Sequence, residues 1–122
     1  MAVVLIAAYL HDIGIKEAER KYGSNEANYQ EQEGPPVARA MLKRLGAAPE
    51  LIDEVCDIIG HHHHPRKEET LNFKILYDSD LIVNLEEKHK ESPLHPEKLS
   101  GIIARSFLTA SGGTLAQKIL ST

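Results

Sequence analysis

Apolar residues that recur at helical spacing constrain this 122-residue chain more than any other feature. In the segment between Pro49 and Gly60 they return every three or four positions, at Leu51, Ile52, Val55, Ile58 and Ile59. That spacing places them on one face of an amphipathic α-helix. No convincing alternation of apolar and polar residues, which is typical of a half-buried strand, occurs along the chain. The sequence therefore predicts an all-α fold.

Proline, glycine and polar residues divide the chain into predicted helices. Pro35 and Pro36 are expected to open a helix, because proline suits a first turn, and the Gly23 to Glu33 segment before them is expected to be an exposed loop. Thr70 is a suitable N-cap. The predicted helices cover 2–13, 15–22, 35–45, 49–60, 71–90, 96–109 and a short C-terminal segment after Gly112-Gly113, so that 96–120 holds the last two. We expect one compact helical bundle over 1–122.

The net charge of −4 and the absence of a basic stripe exclude nucleic acid as an expected partner. The apolar run before His11 is too short to span a bilayer and lacks the positive start of a signal peptide. Cys56 is the only cysteine, so no intramolecular disulfide forms, which favours a cytoplasmic location. Cys56 lies in the apolar pattern and is expected in the core.

An imidazole and a carboxylate are adjacent at His11-Asp12, where the first predicted helix ends. Near a helix end both side chains can reach one cation, and this donor pair suits Zn, Fe, Mn or Co better than Ca. The alternative is a structural histidine that is hydrogen-bonded to a neighbouring carboxylate.

Four consecutive histidines, His61 to His64, follow the strongest amphipathic helix. We favour His61 and His62 as functional residues because they come directly off the helix end. The alternatives are a solvated polar patch or adventitious metal binding. An expression tag is not favoured, because tags lie at chain ends and specific sequence flanks this run on both sides.

Two aspartates, Asp78 and Asp80, interrupt the apolar residues of the long helix over 71–90. A buried carboxylate is costly unless it is paired or bound to metal. We expect Asp78 to face solvent.

Taken together, these segments resemble the HD-domain superfamily of metal-dependent phosphohydrolases. The resemblance covers about residues 1–90 and rests on 7–14 (AAYLHDIG), 58–62 (IIGHH) and 76–82 (LYDSDLI). It implies an all-helical domain that hydrolyses a phosphate ester or nucleotide.

The resemblance also implies a set of functional residues. His11, Asp12 and Asp80 match the metal ligands, and Asp12, His61 and His62 match the catalytic positions. Lys16, Arg20 and Arg66 are candidates for binding the substrate phosphate; each has the alternative of a solvated surface charge. The expected cofactor is a divalent ion (Mn, Fe, Co, Ni, Zn or Mg), and the expected partner is a small phosphorylated substrate. A homodimer is a further expectation.

Two departures from the family pattern leave alternatives open. The family's first histidine should precede the His-Asp helix, but none of the ten residues before His11 is histidine. Either the start of the domain is absent from this chain or the site has lost a ligand. The segment from Tyr29 to Glu33 also lacks a histidine that two-metal members carry, which favours a mononuclear site. The alternatives to an enzyme are a degenerate HD domain that binds a nucleotide or partner without catalysis, and a helical interaction module.

Overall fold

The computed structural model describes residues 2–120, which form seven α-helices and no strand. The helices are α1 (Ala2–Leu10), α2 (Ile15–Tyr22), α3 (Ala27–Arg44), α4 (Pro49–Ile59), α5 (Leu71–Glu91), α6 (Pro96–Ser106) and α7 (Ala110–Leu120). The predicted all-α fold is confirmed. No helix in the described part of the chain combines the length and apolar character that crossing a membrane requires.

The chain divides into two compact units between Phe73 and Lys74, inside α5. In the first unit, α1 and α3 both pack against α4, and α2 packs against α3. The buried apolar residues of this unit are Val4, Ala7, Ala18, Ala38, Leu42, Ile52, Val55, Cys56, Ile58, Ile59 and Phe73. Since α4 supplies five of them, its amphipathic face is the centre of this core. The prediction that Cys56 lies in the core is confirmed.

The second unit has a core of its own, formed by α5, α6 and α7. The buried residues of this core are Ile82, Leu85, Leu99, Ile103, Ala116 and Leu120.

At the start of α5, the Phe73 amide donates a hydrogen bond to Oγ1 of Thr70 at 3.2 Å, so the predicted N-cap is correct. The expectation of one domain over 1–122 stays a prediction.

The predicted loop from Gly23 to Glu33 is wrong for its last seven residues, because α3 begins at Ala27 and contains Pro35 and Pro36. A proline inside a helix removes a backbone hydrogen bond and is normally unfavourable. Here tertiary contacts hold the preceding turns. Glu33 accepts a hydrogen bond from the Tyr22 hydroxyl at 2.9 Å and pairs with Lys21 at 2.9 Å. These contacts override the local preference for a break.

The predicted break at Gly112-Gly113 is also wrong, because both glycines lie inside α7. The reason is Asp78, which is 3% exposed and so does not face solvent as predicted. A Cβ on Gly112 would lie 2.9 Å from Cγ of Asp78. Glycine at 112 therefore lets this carboxylate reach the start of α7.

Asp78 accepts three hydrogen bonds where the chain leaves α6. The donors are the amides of Leu108 (2.8 Å) and Thr109 (2.9 Å) and the Thr109 hydroxyl (2.7 Å). These bonds hold the segment before α7, and Phe107 is extended there, with φ −83° and ψ 144°. The helix predicted over 96–109 accordingly ends at Ser106.

Candidate metal centre

His11 and Asp12 lie in a turn that joins α1 to α2, rather than inside the first helix as predicted. The helix ends at Leu10, and the Ile13 amide donates to the Leu10 carbonyl at 3.0 Å. The Ile15 amide then donates to the Asp12 carbonyl at 3.1 Å as α2 begins. The change from helix to turn places both side chains at the junction of the two helices.

Gly14 holds this turn against α3. A Cβ at position 14 would lie 2.6 Å from the amide nitrogen of Gly34 and 2.9 Å from its Cα, which no real side chain tolerates. The two backbones therefore approach this closely only because residue 14 is glycine. The contact fixes the distance between the His-Asp turn and the third helix.

The four histidines form a second turn, directly after α4. The His61 amide donates to the Ile58 carbonyl at 3.2 Å, and the His64 amide donates to the His61 carbonyl at 2.9 Å. His61 and His62 are buried, whereas His63 and His64 are exposed. The core packing of α4 thus buries the first half of the run and leaves the second half at the surface.

His62 has a buried nitrogen without a hydrogen-bond partner in the described structure. Its Nδ1 lies 2.7 Å from the Ile59 carbonyl and donates to it, which leaves the lone pair on Nε2. The side chain is 3% exposed, and Nε2 lies 3.7 Å from Oδ1 of Asp12, too far for a hydrogen bond. A buried acceptor without a partner is rare in folded proteins, and such atoms are typically satisfied by water or an ion or take part in catalysis.

Asp12, His62 and His63 form a group whose ligand atoms all lie within 4.8 Å of one another. The imidazole rings of His62 and His63 are 4.0 Å apart between centroids. The ordinary pKa of an aspartate carboxyl is about 4. Asp12 is therefore an anionic donor at neutral pH.

His11 lies beside this group. Its Nε2 is 3.3 Å from Oδ2 of Asp12, and its Nδ1 is 2.7 Å from the Ala8 carbonyl. Its ring meets the His62 ring edge-on at 5.4 Å. The structure thus brings together His11, Asp12 and His62 of the predicted residues and adds His63, which the sequence analysis did not select. The histidine run was the available signal, but it did not distinguish one member from another.

His61, which the sequence analysis placed among the catalytic residues, is turned toward other partners. Its Nδ1 lies 2.6 Å from the Asp57 carbonyl and its Nε2 lies 2.8 Å from Oε2 of Glu69. Its catalytic role stays a prediction. The predicted ligand Asp80 belongs to the second unit, where its Oδ2 accepts a hydrogen bond from Nδ2 of the Asn84 side chain at 3.4 Å. Its place in the ligand set likewise stays a prediction.

The three cations proposed for phosphate binding all lie at the surface. Arg20 holds the carboxylate of Glu17 with two nitrogens, at 2.7 and 3.3 Å, and Arg66 holds Asp57 in the same way, at 3.0 and 3.3 Å. Exposed ion pairs contribute little stability, so a phosphate can displace the carboxylate at small cost. Their substrate role, and that of Lys16, stays a prediction.

The donor set fits a divalent transition metal. Two imidazoles and one carboxylate suit Mn, Fe, Co, Ni or Zn. The geometry supports this fit as well as the residue types do. The Nε2 of His62 is buried, has no hydrogen-bond partner in the described structure, and lies 3.7 Å from Oδ1 of Asp12.

The chain was compared with family models, curated proteins and solved structures. The family model described as HD domain matches residues 1–99. No curated protein and no solved structure matches the chain. The matched range contains Asp12, His62 and His63, and also Asp80.

Proposed function

Because the chain belongs to the HD-domain family, we propose that it hydrolyses a phosphate ester or nucleotide with the help of a divalent metal ion. Members of this family are generally metal-dependent phosphohydrolases. The observation that best supports the proposal for this chain is the buried, unpartnered Nε2 of His62 beside Asp12 and His63.

Asp12, His62 and His63 would hold the ion. When bound, such an ion supplies a Lewis acid for a phosphoryl oxygen and an acidified water as the nucleophile. Asp12 contributes the negative charge of the site, since an aspartate carboxyl is ionised at neutral pH. His11, predicted as a ligand from the sequence, would join these ligands, since its Nδ1 donates to the Ala8 carbonyl and the lone pair on its Nε2 lies 3.3 Å from Oδ2 of Asp12.

Arg20, Arg66 and Lys16 would bind the phosphate. Each arginine already presents two nitrogens to a carboxylate, and a phosphate offers the same pair of oxygens. Phosphoryl transfer requires the protein to stabilise negative charge on the phosphoryl oxygens, and these cations are proposed for that role because of their charge.

The proposal is tested with untagged protein, by measuring bound metal and the hydrolysis of nucleotides and simple phosphate esters. Asp12→Asn removes the anionic donor while keeping its shape. We expect the rate to fall about a thousandfold, because a metal stabilises the transition state by several kcal/mol. Asp53→Asn, an exposed aspartate that pairs with Arg39, is the matched control and should leave the rate unchanged.

Hydrolysis that survives in Asp12→Asn would refute the proposed role of Asp12. Purified protein without stoichiometric metal, and without thermal stabilisation by added Mn²⁺, Fe²⁺, Co²⁺, Ni²⁺ or Zn²⁺, would contradict the metal site itself. Stabilisation by a nucleotide without product formation would instead indicate the alternative, an HD domain that binds without catalysis.

A further inference from the structure

We propose that the run of four histidines is divided by role: His62 and His63 bind the metal, whereas His61 and His64 are positioning residues that Glu69 and Glu31 hold in place. The inference rests on the proposed metal site and assigns the residues around it.

Both ring nitrogens of His61 are engaged by oxygen atoms. Nδ1 lies 2.6 Å from the Asp57 carbonyl, and Nε2 lies 2.8 Å from the Glu69 carboxylate. The ring also stacks on Phe73, with centroids 4.4 Å apart and planes 10° from parallel. Since neither nitrogen is directed toward Asp12, His61 is held as an anchor and not presented as a ligand.

Glu69 is the side chain that holds the His61 ring in this orientation. Its side chain is only 6% exposed, and a carboxylate in such a position is costly unless it is bonded. The same oxygen, Oε2, faces Nε2 of His61 and accepts a hydrogen bond from the Arg66 amide at 2.6 Å. Glu69 thereby ties the start of the histidine turn to the loop that follows it.

Glu31 holds the other end of the turn from α3. Its Oε2 accepts a hydrogen bond from the His63 amide at 2.9 Å, and its Oε1 lies 2.5 Å from Nδ1 of His64. The backbone from which the His63 ring projects is therefore fixed by a helix that lies elsewhere in the sequence. His64 completes this contact and uses its Nδ1 to do so.

His62 and His63 lie between these two anchors, with their rings 4.0 Å apart. Two imidazoles that are fixed before the ion arrives lose less conformational freedom on binding it. Carboxylates that orient metal ligands from outside typically change metal affinity by about 10- to 100-fold. Glu69 and Glu31 should accordingly change the affinity of the site without changing its donor atoms.

The test is a titration of the full chain with Co²⁺, followed by the visible absorption of the bound ion. We expect Glu69→Ala and Glu31→Ala to bind Co²⁺ about tenfold more weakly but to show the parental spectrum at saturation. His62→Ala, which removes a donor, should alter the spectrum itself. The neighbouring exposed residues give matched controls, Glu68→Ala and Gln32→Ala, which should bind as the parent does.

Two further variants keep the test decisive if Glu69→Ala does not fold. Glu69→Gln retains an oxygen that accepts from both His61 and Arg66, so near-parental affinity is expected. His61→Phe keeps the stacking on Phe73 but loses both hydrogen bonds, so about tenfold weaker binding with the parental spectrum is expected.

The inference is overturned if His61→Phe changes the Co²⁺ spectrum as His62→Ala does, because His61 would then be a ligand. It is also overturned if the anchor variants bind Co²⁺ as tightly as their controls. In both cases the proposed metal site stands. Failure of the unaltered chain to bind Co²⁺ would instead refute the proposed function, and the inference with it.

Discussion

Hydrogen bonding distinguishes side chains of the same type in this protein. His62 and His61 are neighbours and both are buried, yet one keeps a nitrogen without a partner and the other has both nitrogens engaged. Asp78 and Asp80 also have different surroundings, since Asp78 is buried and accepts hydrogen bonds from three donors. At this scale the surroundings of a residue, more than its type, decide what chemistry it can perform.

Glu33 should make the stability of the chain depend on pH. The contact with Lys21, and then that with the Tyr22 hydroxyl, holds the pKa of Glu33 below its ordinary value of 4.5. A group whose pKa is lowered by folding stabilises the native state above its unfolded pKa and loses that contribution as the pH falls through the folded value. Glu33→Gln should therefore be less stable than the parent at pH 7.

This difference should shrink as the pH falls from about 4.5 through the lower pKa of the folded protein, where the native carboxylate becomes protonated. Urea unfolding of the parent and Glu33→Gln at several pH values measures it. Glu19, an exposed carboxylate on α2, provides the control Glu19→Gln, which should show no such trend. A difference that stays constant from pH 7 to pH 3 would contradict the assignment.

Individual tertiary contacts determine where several helices begin and end. Gly14 meets α3, and Asp78 meets the chain between α6 and α7. In both cases a local sequence pattern predicted a different boundary, and a contact with a residue distant in sequence decided the outcome. The positions of the helix ends therefore depend on tertiary structure as much as on local propensity.

Asp78→Ala should destabilise the second unit. The change removes three hydrogen bonds to a buried carboxylate and leaves the amides of Leu108 and Thr109 without their acceptor. We expect a loss of about 3 kcal/mol in the free energy of unfolding. The adjacent exposed Ser79→Ala is the control. A loss in Asp78→Ala as small as in the control would show that these bonds do not stabilise the start of α7.

Gly14→Ala should separate the His-Asp turn from α3. The added methyl group would overlap the backbone of Gly34, and neither backbone can give way cheaply. We expect a loss of about 2 kcal/mol, measured by thermal or urea unfolding. Gly113→Ala is a control of opposite sign, because a Cβ there meets nothing within 4 Å and alanine favours a helix. Equal stability of Gly14→Ala and the parent would contradict the close approach.

For the molecule as a whole, the sequence predicted the class of fold and most helices correctly. The amphipathic pattern of α4 was sufficient for that helix, because an apolar face this regular has one favourable arrangement. The start of α3 was not predictable from the same information. Its first turns are held by Tyr22 and Lys21, and its prolines taken alone indicate a helix start.

The site was predictable in part for a related reason. His11 and Asp12 form a local motif that the sequence shows directly, and the histidine run indicated the second half of the site. The choice of His63 depends on Glu31, which is 32 positions away, and on Asp12, which is in another turn. Contacts of that range are not encoded in local spacing. The predicted homodimer, cytoplasmic location and nucleotide-like substrate stay predictions.

In the turn after α4, the number of histidines matters as well as their residue type. Four identical side chains occupy four different surroundings, so each is defined by its distance from Ile59 on one side and Pro65 on the other. Loss of one histidine from this run would leave the composition almost unchanged, but it would move the following histidines to the neighbouring position in the turn. A change in the length of the run would therefore give the remaining histidines different partners.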